Sequence, residues 1–251
     1  MKASKYILIS ILIIFTACED SNELASVAPG VTGVGGSLAR FAVSGDRLYT
    51  VDNQSLNVFD VTNPAETEKV TTAQIGFGIE TIFPKGDKLF IGAQAGMFIY
   101  DIADPDNPQY ISEYQHVVSC DPVVVEGKYA YVTLRSGNNC QRFTNVLQVV
   151  DIEDLSNPFL VAEYQMHNPH GLGIDQGVLF LCDGDDGLKV FDASDPLDIS
   201  NNQVAHFDDI HAYDVIPFNG QLMLVGNDGL AQYLYDQEIN LDSLSFIAAQ
   251  P

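Results

Sequence analysis

Five aspartates recur along this chain at nearly even intervals, each closing a short apolar stretch: Asp60, Asp101, Asp151, Asp192 and Asp236, spaced 41, 50, 41 and 44 residues apart. The stretches are related to one another. They read Leu56–Pro64 (LNVFDVTNP), Met97–Pro105 (MFIYDIADP), Leu147–Pro158 (LQVVDIEDLSNP) and Leu188–Pro196 (LKVFDASDP), with a degenerate copy at Ala231–Asp236 (AQYLYD). A period of about 40–50 residues marks an architecture whose units cannot bury their apolar faces alone and must stack on their neighbours.

Within a unit the strands are short and bounded by turn residues. The second unit shows Thr81–Pro84, a Lys-Gly-Asp turn, Lys88–Ala93, a Gln-Ala-Gly turn, Met97–Ile102, a Pro-rich loop and Gln109–Gln115. That is an antiparallel meander. The connectors Tyr114–Asp121, Tyr164–Gly171 and Phe207–Asp214 align without gaps. The expected fold is all-β: a β-propeller of five blades, each of four antiparallel strands, with a solenoid as its rival. The repeats run about 38–75, 76–116, 117–166, 167–207 and 208–251 within one domain, 38–251, and are expected to close as a ring. Either Leu241–Ala249 or an N-terminal strand near Val31–Val34 supplies the last outer strand. Pro-rich loops such as Ser194-Asp195-Pro196 end each third strand, because Pro cannot extend a ladder and Asp or Asn before it stabilises a turn.

The formal net charge is −23. Such a balance argues against nucleic acid and against electrostatic docking on anionic lipid, both of which need basic patches.

On these repeats the chain resembles the LVIVD repeat, a β-propeller family of bacterial and archaeal cell-surface proteins. The resemblance spans residues 38–251, is close in Leu147–Pro158 and Met97–Pro108, weaker in the first unit, and largely lost in the fifth. It implies the propeller fold and an extracytoplasmic location, and it implies no reaction.

The N-terminus agrees with that location. Lys2 and Lys5 precede an apolar run, Tyr6–Phe15, too short to span a bilayer, and then Thr16-Ala17-Cys18. The pattern resembles a bacterial lipoprotein signal, which implies removal of residues 1–17 and lipidation (palmitate among the acyl chains) of Cys18. Multiple acyl chains would hold the protein on a membrane stably. Loss of two lysines takes the charge from −23 to −25. Glu19-Asp20-Ser21-Asn22-Glu23 resembles the surface-export signal of Bacteroidetes-type lipoproteins. Residues 18–37 therefore read as an acidic, Gly-rich tether, and the expected address is the cell-surface side of the outer membrane.

The face opposite the Pro loops collects the unusual residues. All five histidines, His116, His167, His170, His206 and His211, lie in or beside the three aligned connectors. Glu80, Asp121 and Asp214 open innermost strands at equivalent positions, with Ala39 and Gly171 in the other two slots and Arg40 and His170 beside them. Such positions converge on the central channel. The candidate ligand-binding residues are Arg40, Glu80, Asp121, His170, His211 and Asp214. Of these, Glu80, Asp121, His170 and Asp214 are candidates for holding a divalent cation; the alternative is hydrated polar filler. Asp183-Gly184-Asp185-Asp186-Gly187 has the composition of a calcium loop but no downstream bidentate Glu, and reads better as a turn.

Cys120 and Cys140 both fall on that face of the third blade, Cys140 in the insertion Arg135–Asn145, and in an oxidising envelope they can pair. Such a disulfide would contribute roughly 3 kcal/mol by chain entropy. Cys182 ends an apolar strand and reads as a small buried hydrophobe. No nucleophile elbow, phosphate loop, HExxH or CxxC is present. Catalytic residues are therefore assigned to none. The leading expectation is a binding or scaffold module that engages an envelope protein or glycan. The alternative is a glycan-acting hydrolase using the channel-mouth carboxylates.

Overall fold

The computed structural model describes residues 35–116, 122–136 and 144–249. It is a β-propeller of five four-stranded sheets. Blade 1 comprises β1 (Phe41–Ser44), β2 (Arg47–Val51), β3 (Ser55–Asp60) and β4 (Glu68–Gln74). Blade 2 comprises β5 (Ile79–Lys85), β6 (Lys88–Ala93), β7 (Gly96–Asp101) and β8 (Gln109–Gln115). Blade 3 comprises β9 (Val123–Glu126), β10 (Tyr129–Leu134), β11 (Val146–Asp151) and β12 (Phe159–Gln165). Blade 4 comprises β13 (Leu172–Asp175), β14 (Val178–Cys182), β15 (Leu188–Asp192) and β16 (Gln203–Phe207). Blade 5 comprises β17 (Ala212–Phe218), β18 (Gln221–Gly226), β19 (Gly229–Tyr235) and β20 (Leu241–Ala248). Every sheet is an antiparallel meander in chain order, so β20 is the outer strand of the last blade.

The recurring aspartate has a local task. At the end of each third strand its Oδ1 accepts the backbone N–H two residues on: Thr62 to Asp60 (2.8 Å), Ala103 to Asp101 (2.7 Å), Glu153 to Asp151, Ser194 to Asp192 and Glu238 to Asp236 (2.9 Å each). This Asx turn releases the chain from the ladder into the Pro loop. In blades 1 to 4 a second one follows at Asn63, Asp104, Asp154 and Asp195. Blade 5 departs from the pattern. There Tyr233 pairs with Leu222 where Phe191 pairs with Leu179, so β19 runs two residues further before its aspartate.

These hydrogen bonds hold Asp60, Asp101, Asp192 and Asp236 below the usual carboxylate range. A depressed folded pKa contributes stability above the unfolded value and loses it as pH falls through the folded one. Asp192→Ala is therefore expected to lower the melting temperature by about 2 °C near neutral pH. Melting curves in acid should show the gap to the parent closing, because the parent carboxylate is then protonated.

Apolar side chains of facing blades fill the junctions. One core joins blades 1 and 2 around Tyr49, Leu56 and Leu89; the next joins blades 2 and 3 around Phe90, Ile99 and Val132. A third joins blades 3 and 4 around Tyr131, Leu147 and Leu179, and a fourth joins blades 4 and 5 around Phe180, Val190 and Leu222. The inner strands of blades 4 and 5 approach closely because Gly173 has no side chain: a Cβ there would lie 2.2 Å from Pro217 Cδ and 2.8 Å from the Val215 carbonyl.

The ring expected from the repeats closes differently between blades 5 and 1. Among the described residues these two share no hydrophobic core. The segment before β1 makes the join instead. Ser37 Oγ donates to Asp214 Oδ1 (2.9 Å) and accepts from Leu172 N–H (2.8 Å), and Leu38 N–H donates to Asp214 Oδ2 (3.2 Å). On the far side Ala39 O accepts from Ile82 N–H (2.9 Å), tying the same segment to blade 2.

Candidate functional site

A meander that starts at the axis places the connectors and the loops between second and third strands on one face, and the Pro loops on the other. The candidate residues lie on the connector face, at the start of the inner strands. Glu80 is half-buried on β5 and accepts from Gln94 Nε2 (3.2 Å). Arg40 is exposed and donates from Nη2 to the Ile79 carbonyl (2.7 Å), the residue next to Glu80. His170 is half-buried just before β13, with its N–H on the Cys182 carbonyl (2.7 Å) and its own carbonyl accepting from Thr133 Oγ1 (2.6 Å). Its ring stands 5.5 Å from that of Tyr213, and its Nε2 lies 3.4 Å from Asn168 Nδ2.

Arg135 links these groups. It follows β10, at the start of the third-blade insertion, and is within electrostatic range of both Glu80 and His170. Burial lowers the guanidinium pKa, against the raising effect of Glu80. Burial, and then the charge of Arg135, push His170 down to about 4, so its imidazole is neutral at physiological pH. The mouth thus brings together a half-buried cation, a carboxylate, a neutral imidazole, an amide and a tyrosine ring. Arg135 was not among the residues singled out in the sequence. Its position as the first residue of an insertion on the connector face is the signal that would have found it.

Asp214 does not join this group. Its carboxylate turns inward behind Gly171, where a Cβ would come 2.2 Å from Asp214 Oδ1. Ser37 and Leu38 occupy its oxygens. Burial raises its pKa, opposed by those hydrogen bonds. His211 is exposed further out, with Nδ1 3.4 Å from the Gly184 carbonyl. Asp121 lies outside the described residues, as do Cys18, Cys120 and Cys140. Among the described residues no three His, Cys, Asp or Glu side chains are placed to hold a metal ion. Cys182 is buried, as expected for a small hydrophobe.

The acidic stretch in blade 4 is a turn. Gly184–Asp186 forms a short 3-10 segment, and Lys189 Nζ bridges Asp183 Oδ2 (2.6 Å) and Asp186 Oδ2 (2.5 Å). A lysine stands where the calcium reading would place the ion.

Below the mouth, a cavity of about 190 Å³ lies between the inner strands of blades 2 to 5, lined by Phe83, Val124, Leu172 and Ile216, with Gly35 at its edge. Its opposite rim carries Lys85, Glu126 and Asp175.

The comparisons with known proteins speak to architecture. The LVIVD repeat family model matches residues 35–72 and 119–166. No curated protein matches the chain. Among solved structures, a functionally unknown protein from Desulfotomaculum acetoxidans superposes with a TM-score of 0.65 at 10% identity, over 87% of this chain and 69% of that one. A protein from Lactobacillus plantarum gives 0.62 at 13% identity, over 86% and 70%. The periplasmic gluconolactonase PpgL of Pseudomonas aeruginosa gives 0.60 at 15% identity, over 83% and 67%. Identities this low carry the fold and no activity. With its five four-stranded meanders this chain is a five-bladed β-propeller, two stretches of which match the LVIVD repeat.

Proposed function

We propose that this protein is a cell-envelope lipoprotein, anchored through Cys18, whose propeller is a binding module that engages an envelope protein or glycan at the connector face. The observation that carries the reading is the composition of the mouth: Arg135, Glu80, His170, Asn168 and Tyr213 offer one cation, hydrogen-bonding groups of both kinds and an aromatic surface. This is the chemistry of recognition. Hydrolysis of a glycan needs two carboxylates at a set separation with one pKa raised. Asp214 has the raised pKa, but its oxygens are committed to Ser37 and Leu38, and Glu80 is hydrogen-bonded to Gln94.

The test separates anchor from site. Cells fed labelled palmitate should mark the parent protein and leave Cys18→Ala unmarked; an unmarked parent would remove the anchor. Purified protein should bind an envelope glycan or protein fraction without cleaving it, with His170→Ala and Arg135→Ala weakening binding at least tenfold at unchanged melting temperature. Glycan cleavage that disappears in Glu80→Gln would replace this reading with the hydrolase.

A further inference from the structure

The five blades supply their own control for what a packed junction looks like. On each second strand one residue faces the preceding blade: Leu48, Leu89, Ala130, Leu179 and Leu222. Four of these are fully buried, and Leu48, in blade 1, is not. The residue after it faces the following blade: Tyr49, Phe90, Tyr131, Phe180 and Met223. Again four are buried, and Met223, in blade 5, is not. The two exceptions flank the same junction. Around them Phe41 is 59% exposed on blade 1, and Val225, Leu234 and Ile247 are 41%, 42% and 65% exposed on blade 5. Register places Phe41 on the Leu48 side of its sheet, and Leu234 and Ile247 on the Val225 side of theirs. Contiguous apolar surface of this kind marks an interaction site.

We propose that the seam between blades 5 and 1 is a docking site for a further LVIVD-type blade supplied from outside this chain. Two observations select that occupant. Leu48 and Met223 hold the two second-strand positions that make every packed junction in this molecule, so the complementary surface is the face of another blade, aliphatic on one side and aromatic on the other. The join made by Ser37 and Leu38 closes the axis alone, and among the described residues the radial faces of both sheets are left uncovered. A second copy of this chain is disfavoured as occupant because each carries a net charge of −23.

The experiment extends the full chain after Pro251 with a second copy of residues 76–116, the blade whose Leu89 and Phe90 are buried on opposite faces. Thermal melting should move up by about 5 °C, and hydrogen exchange in β2 and β18 should slow at least tenfold. Introducing Leu48→Asp and Val225→Asp should abolish both gains while leaving the unextended chain's melting temperature within about 2 °C. An extension that changes neither reading, or that stays open to protease, would overturn the proposal. So would sedimentation of the unextended chain as a dimer with β2 and β18 protected, which would assign the seam to a second copy.

Discussion

Asp183→Ala is expected to lose about 3–5 kcal/mol of folding stability, among the largest single-residue costs in this molecule. The carboxylate is fully buried at the head of the blade 4 turn. Its Oδ1 accepts the backbone N–H groups of His167 (3.0 Å) and Asn168 (2.8 Å), and its Oδ2 accepts Lys189 Nζ (2.6 Å). Truncation leaves two part-buried backbone donors without an acceptor and removes half of the countercharge of a lysine that is itself only 14% exposed. The connector carrying His167 and His170 would be released from β14 at the same time, so ligand binding at the mouth should fall along with stability. Asp183→Asn keeps one acceptor oxygen and should cost less than half as much. Urea unfolding of the three proteins, with and without added calcium, checks both the magnitude and the assignment of the loop. The Lys189 ammonium already sits between Asp183 and Asp186, so calcium should leave the parent midpoint unchanged. A clear rise in the parent's urea midpoint on adding calcium would return the loop to the cation reading.

What was legible in the sequence was whatever repeats. Second-blade strands read as Lys88–Ala93 and Gln109–Gln115 are β6 and β8 to the residue, because turn signals bound them on both sides. The propeller follows from alternation and period alone. Blade 5 is less regular for a stated reason: its third strand continues two residues past the common register, so AQYLYD aligns to the repeat by its aspartate and not by its pairing. The placement of Glu80 and His170 at inner-strand starts on one face was legible from the repeat, and Arg135 is within electrostatic range of both. Arg135 and Ser37 were not legible, since neither occupies a repeated position. Ser37 sits at the end of a Gly-rich run that reads as tether, and its partners Leu172 and Asp214 are 135 and 177 residues away in the chain. No local pattern encodes contacts of that range. Asp214 shows the corresponding limit from the other side: its register position is that of a mouth ligand, and a tertiary contact turned it into a structural acceptor.

That contact leads to the second large effect. Asp214→Ala should cost about 3 kcal/mol, because the Ser37 hydroxyl and the Leu38 N–H lose their acceptor in a buried setting. Unlike Asp183, this carboxylate has no cation against it among the described residues, and burial raises its pKa above the ordinary 3.8. The sign follows from linkage. A carboxyl whose folded pKa is raised binds its proton more tightly folded than unfolded. Its favourable contribution is complete below 3.8 and is lost as pH climbs through the folded value. Above that value the buried charge weakens the join between blades 5 and 1. Asp214→Asn keeps an acceptor and cannot ionise, so relative to the parent it should be least favourable in acid and gain ground as pH rises through the raised folded value, levelling off above it. Chemical unfolding of both proteins across pH 4 to 8 reads this directly; a constant difference over that window would mean that the carboxylate does not titrate there. Ser37→Ala removes the donor to Asp214 and the acceptor for Leu172 at once, and in combination with Asp214→Ala should cost clearly less than the two changes added together. Additivity would mean that Ser37 and Asp214 act independently and that the axis is closed by something other than their hydrogen bond.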